Sequence, residues 1–335
     1  MAPIYFLPGY WAARILIIGG ADLGQFLAWF SYPALLLGPI AGLQVGWPAF
    51  SEIVLSVAPG PGLEARILDG RLIRATGLVG HWTGSGFLFC CLLAAACSAL
   101  ILNESNNRNS SLLRWTIVMA VVGTVASLTL SAIICAILMV VILLRITGAS
   151  LGAIVFTALV SLALYWRFGS YLGERIDQQT AYRPSYVPDW LPNTLAYRWR
   201  IWSEQTVPVM QERLTMGWGA DLYSGRDRPS LLVWHSPESQ WFGVVVMYGV
   251  VGLLLLGFLA IRSLWVVSAL TFKTRRPYFI PIFVLFSVAF IASSTVSVYT
   301  SRGYPVAFWV LLGLLVGVMT ATQSNPAPVS ERDGG

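Results

Sequence analysis

The chain has 335 residues, 56% of them hydrophobic and only 11% charged, with a mean hydropathy of +0.71. A soluble domain carries roughly 25% charged residues, so this composition excludes an ordinary water-soluble globule and argues for residence in a membrane. The net charge of +6 is no sign of nucleic-acid binding, because the basic residues (arginines, with Lys273 the one lysine) are scattered through connections rather than gathered in a stripe.

In chain order, the N-terminus lacks the pattern of a cleavable signal, since only a short apolar run separates Arg14 from Asp22. Strongly apolar segments follow at 23–45, 82–102, 115–130, 131–145, 149–166, 240–261, 278–297 and 304–320. At about 20 apolar residues per crossing, they predict about eight spans. Pro33 and Pro39 interrupt the first, residues 4–21 are a further segment able to dip into the membrane, and the run from Trp115 to Leu144 divides near Leu130-Ser131. Cys90, Cys91, Cys97 and Cys135 lie inside apolar runs, with neither metal-ligand spacing nor a disulfide framework. No metal or cofactor is expected.

Between Trp166 and Ser239 hydropathy collapses, and eight arginines face eight carboxylates. The stretch is too polar for lipid and too aromatic for a disordered linker. An apolar stripe at Leu195, Trp199 and Trp202 predicts a short helix capped by Asn193 and kinked or ended by Pro208. Residues 262–277, with Arg262, Lys273, Arg275 and Arg276 and no acid, read as a cytoplasmic connection. Counting back from it puts the long loop and residues 46–81 outside. The expectation is an all-α fold: a polytopic transmembrane helical bundle with one large external, periplasmic loop containing short helices. It divides into N-terminal transmembrane helices (1–166), the loop (167–239), C-terminal transmembrane helices (240–321) and a disordered cytoplasmic tail (322–335).

The spans carry almost no ionisable groups, Asp22 being the main exception, which argues against a proton-coupled pump. Polar chemistry gathers in the two outer stretches: Arg66, Arg71, Arg74 and His81 in one, and Arg175, Arg183, Arg198, Arg200, Arg213, His235 and Glu238 in the other. Arginines at a lipid boundary suit a lipid-linked phosphate, which a guanidinium binds bidentately. Their plainer reading is snorkelling or pairing with the loop's acids. Trp82, Trp190, Trp218, Trp234 and Trp241 are candidates for sugar stacking, although tryptophan at a membrane interface is the commoner explanation.

Residues 238–252 run from Glu238-Ser239 through nine residues to Gly249-x-x-Gly252. This resembles the signature closing the large periplasmic loop of the O-antigen ligase and O-antigen polymerase superfamily. Arg198-Trp199-Arg200-Ile201-Trp202 resembles that family's R-x-x-x-W helix, Gly217-Trp218-Gly219 its G-x-G turn, and Arg74 to Gly77 its R-x-x-G segment. Two departures stand out: Ala132 follows Ser131 where the family often has arginine, and Glu238 stands where ligases carry histidine.

The resemblance implies glycosyl transfer at the periplasmic face of the bacterial inner membrane, from an undecaprenyl-diphosphate-linked glycan to an acceptor glycan. A flippase and chain-length regulator proteins are the partners it adds to the lipid bilayer. Arg74, Arg198 and Arg200 would hold the diphosphate, although Arg198 and Arg200 point to nearly opposite faces of a helix. Glu238 is the general base by position and His235 by its titration near neutrality. Gly217, Gly219, Gly249 and Gly252 would be structural. The glutamate shifts the reading from ligase toward polymerase; a ligase, or a non-catalytic transporter or assembly partner, are the alternatives.

Overall fold

A computed structural model describes residues 6–58, 67–68, 71–72, 74–105, 110–148, 193–219, 222, 229–233, 238–299 and 303–324, with scattered positions between 152 and 173. The helices are α1 Leu7–Ile18, α2 Leu23–Ser31, α3 Ala34–Gly46, α4 Pro48–Val57, α5 Trp82–Ser105, α6 Ser111–Ala126 and α7 Leu130–Ile146, followed by α8 Asn193–Ile201, α9 Val207–Glu212, α10 Gln240–Ser268, α11 Ile280–Ala292 and α12 Tyr304–Ser324. The one sheet among the described residues is a two-residue antiparallel pair, β1 Ile67–Leu68 with β2 Arg71–Leu72.

Among the described residues four helical stretches are long and apolar enough to cross a membrane: Leu23–Val45, Trp82–Asn103, Gln240–Lys273 and Tyr304–Gln323. Four shorter apolar helices pack among them: Leu7–Ile18, Ser111–Ala126, Leu130–Ile146 and Pro277–Ala292. Most of the segment expected at 149–166, and nearly all of the tail, lie outside the described residues.

The centre of the bundle is α5. Its run from Gly84 to Ala99 is apolar or small on every side, and a helix of that kind buries every side. Its span is 89% buried, against 28% for Gln240–Lys273, and α2, α6, α7, α11 and α12 pack around it. Small residues set these approaches. The ring of Phe89 lies against Gly123 of α6 where a side chain would collide, and Cys90, Cys91, Cys97 and Cys135 are buried, free thiols that fill space.

Breaks in the bundle have local causes. Pro33 ends α2 and opens α3, so Leu23–Val45 is a bent span rather than one straight helix. Asp22 caps α2 by accepting the N–H of Gln25 at 3.0 Å, which explains a carboxylate at that boundary. The run from Trp115 to Leu144 turns between Ala126 and Leu130, with Leu128 in the left-handed region at φ 46°. One connection differs from expectation. Arg262 is not in a loop, because α10 continues to Ser268 and a π turn extends it to Lys273.

Two small-residue stripes hold the N-terminal helices. Gly38 and Gly42 of α3 face Met119 and Val122 of α6; Gly313 and Gly317 of α12 face the backbone of Tyr10 and Arg14 on α1. Helices α1 and α12 run parallel, since Gly9 meets Val310 while Arg14 meets Gly317. A Cβ on Gly313 would collide with the Tyr10 carbonyl. Gly313→Leu should therefore lower stability by about 1–3 kcal/mol, the usual cost of overpacking. Thermal unfolding of the detergent-purified protein checks this, with Gly257→Leu, at an open position, as the tolerated control.

Candidate functional site

One end of the bundle collects the starts of α5, α10 and α12 and the end of α11. Gly303, just before α12, lies against Val79 and the Gly84 carbonyl, and Gln240 at the start of α10 donates its N–H to the Ser293 carbonyl at 2.9 Å. The two arginine-bearing stretches singled out in the sequence both reach this end.

The long loop is fixed there by glycines. Helix α10 breaks at Gly249, whose φ of 67° and ψ of −167° interrupt the ladder. The loop heals the break. Trp218 and Gly219 donate their N–H groups to the carbonyls of Val246 (2.9 Å) and Met247 (2.8 Å), and Val250 donates to Leu214 at 2.8 Å. Gly217, at φ 70°, and Gly249 touch backbone to backbone, so a Cβ on either would run into the other strand of the contact. Gly252 packs one turn on, against Tyr248 and Val244. Gly217, Gly219 and Gly249 thus form one dock, in which Gly219 (φ 100°) has open space around it, while Gly252 meets only side chains of its own helix. Trp218 seals the dock by donating from Nε1 to Val209 at 3.0 Å, beneath Arg213 at 4.2 Å from its ring.

The dock carries α8 and α9 with it. Pro208 does not end this helix: a π turn at Trp202–Thr206 absorbs the proline and the chain stays helical through Glu212. Trp202 packs on Phe242 of α10 with ring centroids 5.1 Å apart. Arg198, one turn before Trp202, reaches Glu238, donating from Nε to Oε2 at 3.0 Å. Their side chains are 15% and 30% exposed, so the pair is partly accessible at this end of the bundle, its mouth. Glu238 holds φ 53°, a conformation that non-glycine residues adopt rarely and that clusters at functional positions. Ser239 follows as the cap of α10, accepting the N–H of Phe242.

The other expected site residues separate. Arg74 is half-buried and donates to the Ser127 carbonyl and to Thr129 Oγ1, each at 3.1 Å, with its guanidinium 4.9 Å from the Trp82 ring. It therefore neutralises the carbonyl end of α6. Arg200 forms an exposed pair with Glu204 at 3.0 Å, on another side of the helix from Arg198. His81 accepts the Gly84 N–H at Nδ1 and acts as a helix cap. His235, Trp190 and Trp234 lie outside the described residues. Trp241 packs against Phe290 and Tyr299. Burial pushes the Tyr299 hydroxyl well above its ordinary titration range.

Gln44 is the participant that sequence reasoning missed. Nearly inaccessible, it accepts the N–H groups of Thr76 (3.0 Å) and Gly77 (2.9 Å) and donates to Thr76 Oγ1 at 2.9 Å. It clamps the segment that carries Arg74. A glutamine near the end of a mostly apolar span was its only signal.

No protein-family model, curated protein or solved structure matches the chain. Among the described residues no cluster of His, Cys, Asp or Glu is arranged to hold a metal.

Gly249→Ala and Gly217→Ala should each destabilise the protein by roughly 2 kcal/mol or more, combining positive-φ strain with a backbone collision. Gly219→Ala, strained but uncrowded, should cost about 1 kcal/mol. Denaturation of the three variants side by side checks the ordering.

Proposed function

We propose that the chain is a multi-pass protein of the bacterial inner membrane and a glycosyltransferase acting at its periplasmic face. In this reading it polymerises undecaprenyl-diphosphate-linked oligosaccharide repeat units into a surface polysaccharide. The observation that carries it is the ion pair of Arg198 with Glu238. It joins residues forty positions apart at the mouth of α10, with the glutamate held in a left-handed conformation. The four helices long and apolar enough to cross a membrane support the setting.

The chemistry follows from the charges. As C1 of the donor sugar parts from the diphosphate, negative charge grows on the leaving oxygen, and a preplaced guanidinium stabilises it. Arg198 is the group for that role. The acceptor hydroxyl must lose its proton as it attacks C1, and Glu238 is the base. Such proton transfer is typically worth about 10²–10⁴-fold. Resting on each other, the two groups are neutralised; a diphosphate competing for Arg198 releases the carboxylate toward the acceptor. Arg74, engaged with the end of α6, supports the floor of the mouth, and Arg200 stays on the solvent side.

A glutamate in place of the ligase histidine favours polymerase over ligase. Transfer of finished glycan to lipid A core or protein is the second reading.

Arg198→Ala and Glu238→Ala should each abolish chain extension while the protein is still made and inserted, whereas Arg200→Ala should leave chain length within about twofold, as for an exposed pair. Polysaccharide length on gels from cells carrying each variant decides it; full-length polymer from both of the first two variants would refute the enzymatic reading. Glu238→Gly separates strain from chemistry. Relief of a left-handed non-glycine residue returns about 1 kcal/mol, so this variant should melt no lower than the parent yet make no polymer.

A further inference from the structure

Away from the mouth, α1, α10 and α12 leave space between them, a cavity of about 370 Å³. Its walls are mainly apolar, Tyr10, Leu259, Leu312 and Val316 among them, and the lining also includes Arg262 and Gln323. From Trp309 to Gln323 it follows α12 for about 20 Å at 1.5 Å per residue. That is the length and calibre of a single extended hydrocarbon chain.

One cation, Arg262, lines this groove, and a second, Arg14, stands on α1 beside it, on the helix that supplies Tyr10 to the lining. Arg262 is exposed, and its guanidinium lies 4.1 Å from the centre of the Trp265 ring. Arg14 is one turn beyond Tyr10 on α1, level with Gly317 and so with the Val316–Met319 stretch of the lining. Its guanidinium lies 5.2 Å from the Trp11 ring, and its Nε is buried without a hydrogen-bond partner among the described residues. Among those residues neither arginine has a carboxylate partner; the ion pairs there are Arg198–Glu238 and Arg200–Glu204. A guanidinium held on an indole and left without an acid is a site for an anion at a membrane interface.

We infer that this groove binds one anionic phospholipid of the bilayer, an acyl chain lying along α12 and the phosphate held between Arg14 and Arg262. The charge calls for an anionic headgroup, the apolar length for an acyl chain. The site lies about 30 Å along α10 from Glu238, from the 22 residues between Gln240 and Arg262 at 1.5 Å each. It is therefore separate from the mouth. The inference rests on membrane residence but not on glycosyl transfer, so failure of one leaves the other standing.

The test uses the full chain in nanodiscs of equal phosphatidylglycerol and phosphatidylcholine with matched acyl chains. Lipid that stays bound after transfer to detergent is identified by mass spectrometry. The expected result is enrichment of phosphatidylglycerol, falling about fivefold for each of Arg14→Gln and Arg262→Gln, the weight of one basic residue at an anionic surface. Val316→Trp, which fills the groove, should reduce retention of both lipids. Equal retention of the two lipids by the parent, unchanged preference in the double arginine variant, or retention of a polyprenyl phosphate instead would each overturn the inference.

Discussion

The site depends on a broken helix. Backbone N–H and C=O groups at a break inside an apolar bundle must find partners, because leaving one buried and unpaired costs about 1–3 kcal/mol. At Gly249 those partners come from residues 214–219, through three hydrogen bonds of 2.8–2.9 Å. Only glycine allows the two backbones to come close enough, at Gly217 on one side and Gly249 on the other. The long loop is thereby anchored on α10, and the direction in which α8 presents Arg198 follows from that anchor.

Magnitudes separate cause from consequence here. A partly exposed ion pair such as Arg198–Glu238 contributes about 0–1 kcal/mol, less than the backbone bonds of the dock, and the left-handed Glu238 costs about 1 kcal/mol in return. The pair does not hold the fold together. A charged contact that adds little stability and sits on strained backbone fits the proposed chemistry better than a structural role. By contrast, Arg74, tied to Ser127 and Thr129, completes a helix end, and its charge serves packing first.

The sequence makes the helical character and the dock legible for different reasons. Long apolar runs such as 82–102 leave no choice of environment, and the turn between α6 and α7 falls where a single helix would be too long. Gly217, Gly219, Gly249 and Gly252 are legible only through the motif resemblance, since a pair of nearby glycines in a span ordinarily marks helix packing. The pairing of Arg198 with Glu238, forty residues apart, needed the fold. So did the local pairing of Arg200 with Glu204, since spacing alone cannot say which arginine an acid will meet. The π turn that absorbs Pro208 was hidden because a proline ordinarily ends a helix. The seating of α1 on α12 was hidden because its signal, small residues four apart in Gly313 and Gly317, is common in any apolar span.

The most direct measurement of the central claim is reconstitution: purified protein in liposomes supplied with an undecaprenyl-diphosphate-linked oligosaccharide repeat unit and nothing else. A ladder of multimers appearing as free undecaprenyl diphosphate accumulates is the predicted result. Unconsumed donor, with the protein folded and inserted, would contradict it.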